Sequence, residues 1–73
     1  SFESEDVAYY EEAIKREENS HNFYVEKSKE LDDDNEKAIF IAIAQEEVKH
    51  KEVLENILSF LQEPDNWVAS AEF

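Results

Sequence analysis

Twice along the chain, apolar residues recur at alternating steps of three and four, and each time the pattern turns polar at its centre. The second run reads Phe40, Ile43, Glu47, His50, Leu54, Ile57, Leu61. The first reads Val7, Tyr10, Ile14, Glu17, His21, Tyr24, Ser28, Leu31. Such steps put residues on one stripe of an α-helix and make the seam of a helix packed on helices. A buried, unpaired carboxylate costs on the order of several kcal/mol, comparable with the net stability of a small domain. Two seams with polar centres therefore predict two long helices with something between them that compensates the charge. A metal ion is the obvious compensator.

The segment Asp32-Asp33-Asp34-Asn35 separates the two runs. These residues are poor in helix interiors and good at caps, and Asp33 with Glu36 has capping-box spacing. The expected layout is a first helix over about 5–31, with Ser4 or Asp6 as N-cap, and a second over about 35–62. So short a connection makes the helices antiparallel neighbours. Ala13, Ser20 and Phe23 are expected to widen the buried face of the first. The stretch Ala38-Ile39-Phe40-Ile41-Ala42-Ile43-Ala44 is apolar all round, so it calls for cover on more than one side. Pro64 ends the second helix. Trp67, Val68, Ala71 and Phe73 suggest a short C-terminal helix over 65–73 that docks as an apolar flap. The fold class is thus all-α: one domain over 1–73, an antiparallel hairpin plus a short helix. Two chains are expected to combine in a four-helix bundle, because a lone hairpin leaves a face of each helix open.

Composition removes several alternatives. The 73 residues contain no Cys and no Gly, so disulfides, zinc-thiolate sites and Gly-rich phosphate loops are out. The net charge of −13 argues against nucleic acid or an anionic membrane surface as partner and suits a cation. No apolar run approaches the ~18 residues of a membrane span. No signal peptide is expected, and the absence of an initiator Met fits a processed chain or a piece of a longer helical protein.

Antiparallel packing brings the two polar centres to one height. With the connection centred near residue 33, Glu17 lies 16 residues before it, Glu47 14 after and His50 17 after. One hairpin then offers two carboxylates and an imidazole, a donor set suited to iron, Mn or Zn. Two such sets about a two-fold axis give the ligands of di-iron carboxylate bundles. Glu18 rivals Glu17, since it forms its own Glu-x-x-His with His21. His21 is a further ligand or a hydrogen-bonded core histidine. Glu46 is expected at the surface. The competing explanation for Glu47 and His50 is a buried hydrogen-bonded pair that fixes register.

Glu17-x-x-Ser20-x-x-Phe23-Tyr24 followed by Glu47-x-x-His50, thirty residues after the first Glu, resembles the ferritin-like superfamily, in particular rubrerythrin-type domains and encapsulated ferritins. The resemblance covers nearly all of both helices. It implies Glu17, Glu47 and His50 as metal ligands, with Tyr24 hydrogen-bonding a ligand carboxylate. Glu18 and His21 stand behind them. It implies two irons per dimer, Mn or Zn being alternatives, and a homodimer or higher even-numbered assembly. It further implies a cytoplasmic setting, including the interior of an encapsulin shell. The activity implied is that of a ferroxidase, oxidising Fe(II) to Fe(III) with O2 or peroxide for iron storage or detoxification. The alternatives are a peroxidase served by an external electron donor and a non-catalytic, metal-stabilised helical module.

Overall fold

The computed structural model describes residues 4–63. The short helix expected over 65–73 lies outside the described residues. Two helices account for nearly everything described: α1, Ser4–Glu30, and α2, Asp34–Gln62. No strand occurs among the described residues.

Both helices carry their own end signals. α1 has Glu5 and Asp6 in its first turn and Lys27 and Lys29 in its last, each sign opposing the helix dipole. Asp6 therefore lies inside the helix and is not its N-cap. Its acid complements the dipole from within the first turn instead. α2 begins after Asp33, whose extended backbone and side-chain oxygen form the N-cap: Asn35 N–H donates to Asp33 Oδ1 at 2.9 Å. The Lys37 N–H closes the first turn on Asp33 O at 3.0 Å. Leu31 to Asp33 thus suffice to reverse the chain, and α1 and α2 pack side by side, antiparallel.

The seam between them follows the expected stripes. Val7, Tyr10, Ile14, Glu17, His21, Tyr24 and Leu31 of the first run are half-buried, as are Phe40, Ile43, Glu47, Leu54, Ile57 and Leu61 of the second. Only Ser28 and Ala44 are fully buried among the described residues. Both are small, which lets the helices approach closely. The Ser28 hydroxyl donates to Val25 O at 2.6 Å, so its burial leaves no donor unmet. Tyr24 and Phe40 meet edge to face across the seam, with ring centroids 5.9 Å apart.

Two expected seam residues fall outside it. Phe23 is 58% exposed rather than part of the buried face. His50 is also exposed. The reason is phase: at about 100° per residue, a 3–4 stripe on a straight helix drifts, and residues at its edge turn away from a single partner helix. The hairpin extends 54 × 25 × 10 Å, a single layer. A stable domain ordinarily needs two layers to enclose a core. Tyr9, Phe23, Ile39, Ile41, Val48 and Val53 accordingly remain exposed. No helix among the described residues is long and apolar enough to cross a membrane.

Candidate metal centre

Midway along the hairpin, α1 presents Glu17 and α2 presents Glu47 and His50. Glu47 and His50 are one turn apart, so they stand on neighbouring positions of one helix surface. Carboxylate oxygens of Glu17 and Glu47 and a ring nitrogen of His50 all lie within 4.8 Å of one another. Among the described residues, this is the group of acidic and imidazole side chains placed closely enough to share one ion.

The electrostatics of the group are unbalanced. Glu17 Oε2 is shielded from solvent and makes no hydrogen bond. Its nearest cationic partner is His50 Nδ1 at 3.4 Å, an ionic contact only when the imidazole is protonated. Glu47 is held above the usual glutamate range by hydrogen bonding with the Glu17 side chain, then by burial and by repulsion from Glu17; His50 opposes the shift. Two carboxylates pressed together, one with an orphaned oxygen, form a site that gains from a cation. The donor set is hard oxygen with one borderline nitrogen, which fits iron.

The comparison with protein families decides what kind of domain holds this group. The family model described as Rubrerythrin matches residues 5–72. The chain belongs to the rubrerythrin family. It is a ferritin-like, rubrerythrin-type domain, and the Glu17–Glu47–His50 group is its candidate metal site. No curated protein and no solved structure gives a significant match.

The rubrerythrin-type assignment leaves the roles of the remaining side chains to the geometry. Glu18 pairs with Lys51 Nζ at 3.6 Å. His21 Nδ1 lies 3.3 Å from Asn22 Oδ1. Neither joins the group. Tyr24 makes ring contacts with Phe23 and Phe40, and its hydroxyl forms no hydrogen bond to a carboxylate of the described chain. Glu46 is on the surface, paired with Lys49 at 3.2 Å.

Beside the group, a cleft of ≈ 240 Å³ opens between the helices, lined by Glu17, Glu18, His21, Asn22, Glu47, Val48 and Lys51. Lys51 and Val48 were not singled out by the sequence. Lys51 carried no distinguishing signal, being one of several charged residues on its helix. Val48 carried no signal, because its contribution is to the shape of the opening.

Proposed function

We propose that this rubrerythrin-type hairpin is a ferroxidase whose di-iron centre is completed by a second copy of the chain. The carrying observation is the convergence of Glu17, Glu47 and His50 around the solvent-shielded, unbonded Glu17 oxygen. One chain supplies two carboxylates and one imidazole; a two-fold pair supplies four and two, the set that di-iron bundles use. Exposure supports the pairing. His50 lies on the same flank of α2 as Ile39 and Val53, and Tyr9 and Phe23 lie on the matching flank of α1. A second hairpin laid on that flank covers the apolar residues and brings its own His50 and carboxylates to the first set.

In this reading Fe(II) is the substrate. Glu17 and Glu47 bind it by neutralising its charge with their carboxylates. The His50 imidazole would donate a ring nitrogen to it. Two Fe(II) each give one electron, reducing O2 to peroxide, or peroxide to water, with two protons taken up. The 73 residues contain no Cys, so no thiolate iron centre lies within them to supply electrons.

The test is anaerobic Fe(II) loading with metal analysis, on the parent and on Glu47→Ala/His50→Ala, followed by an O2 or peroxide pulse. The expected result is about one iron per chain in the parent, lost in the variant, with Fe(III) appearing on the pulse. Absence of specific iron in the parent overturns the proposal. Iron that binds but is oxidised no faster than free Fe(II) overturns the ferroxidase assignment.

A further inference from the structure

The cleft beside the metal group reaches Glu17 and Glu47 from the side away from His50. At about 100° per residue, Val48 and Lys51 lie on one flank of α2, with Ile39, His50 and Val53 on the other. Glu18 and Asn22 share the cleft's flank on α1, opposite Tyr9 and Phe23. Covering the apolar flank therefore leaves the cleft open. Its ≈ 240 Å³ compares with about 180 Å³ for six waters at roughly 30 Å³ each, so a hydrated divalent cation fits.

One positive charge stands at its mouth. Lys51 Nζ lies 3.6 Å from Glu18 across the helices and 3.9 Å from Glu55 on its own helix. Lys51 lines the cleft, with its side chain 33% exposed. A cation approaching Glu17 and Glu47 by this path must pass that ammonium.

We propose that the cleft is the access route of divalent cations to the Glu17–Glu47–His50 group, and that Lys51, tied to Glu18, sets the rate of passage. This rests on the reading of the group as a metal centre. A charge beside a route acts on the encounter. It changes association and dissociation together and alters the final affinity less. The Lys51 ion pairs are long, at 3.6 and 3.9 Å, and run to exposed carboxylates, so they contribute little to folding and the charge can be removed without unfolding the hairpin.

The experiment is stopped-flow Co(II) association with the metal-free protein, with equilibrium Co(II) titration and thermal unfolding alongside. The proteins are the parent, Lys51→Met, Lys51→Arg and Val48→Trp. Removal of the charge in Lys51→Met should raise the association rate about fivefold at low salt, and the gain should fade at high ionic strength. Lys51→Arg should match the parent. Val48→Trp, which fills the mouth, should slow association at least about tenfold, with the number of bound Co(II) unchanged. Equal association rates in parent, Lys51→Met and Val48→Trp overturn the route while leaving the metal centre intact. A Lys51→Met effect confined to dissociation places Lys51 at the bound ion and overturns its role in access. A parent that binds no Co(II) overturns the metal centre and the route with it.

Discussion

At the residue scale, the centre of the molecule is a pair of carboxylates that one cation would satisfy and that solvent alone does not. Glu17 and Glu47 face each other, with one Glu17 oxygen shielded and unbonded. The raised pKa of Glu47 has a consequence of fixed sign. Where both folded and unfolded chains are protonated at this position, below the ordinary glutamate value of about 4.3, its contribution to stability is fully present. As pH rises through that value the unfolded chain gives up the proton first. The contribution is lost as pH passes the higher folded value. Glu47→Gln keeps the shape and removes the titration. The metal-free variant should therefore be more stable than the metal-free parent at pH 7, with the difference vanishing toward pH 4. Thermal unfolding of both proteins across pH 4 to 8 checks this. Added Co(II) should invert the order, because the parent alone gains binding energy. Sequence spacing was enough to bring Glu17, Glu47 and His50 to one level. It did not place Lys51 at the cleft, since one ammonium on a helix with many charges has no periodic signature.

At the element scale, the two helices were legible because each level of the sequence agrees with the others: stripes, dipole-complementing ends and an aspartate cap. Asp33 was readable from its spacing to Glu36, and the structure gives it the capping contact to Asn35 N–H at 2.9 Å. Loss of this contact in Asp33→Ala should cost about 1 kcal/mol, or roughly 4–8 °C in Tm for a domain of this size. Denaturant and thermal unfolding measure it, and a change within error would mean that Asp34 or Asn35 takes over the cap. The exposure of Phe23 and His50 was not legible for a physical reason. Periodicity fixes the direction of a stripe but not its width, and the width depends on how many neighbours the helix has. One neighbour covers a narrow stripe. Phe23 and His50 sit at its edge, where a second neighbour would cover them.

At the scale of the whole molecule, the hairpin is a layer 10 Å thick in which only Ala44 and Ser28 are fully buried among the described residues, the open surface that the proposed second copy would cover. The aromatic and β-branched residues left outside are not scattered evenly. Tyr9, Phe23, Ile39 and Val53 share the flank to which His50 turns, at 62, 58, 57 and 57% exposure. Burying a Val or Ile side chain contributes about 1.5–3 kcal/mol, and a symmetric pair buries each twice. A charge at the centre of that flank should separate the copies. Ile39→Glu/Val53→Glu adds four negative charges per pair to chains that each already carry −13. Sedimentation equilibrium should show parent dimers, or a higher even-numbered assembly, and variant monomers at micromolar concentration. Because the substituted positions are not ligands, bound iron then reports on assembly alone. If the centre is shared between copies, the monomeric variant should lose at least about 90% of the parent's iron affinity, a shift of 1.4 kcal/mol or more. Parent-like iron binding by a proven monomer would mean that Glu17, Glu47 and His50 of one chain suffice, and that the apolar flank serves assembly without completing the site.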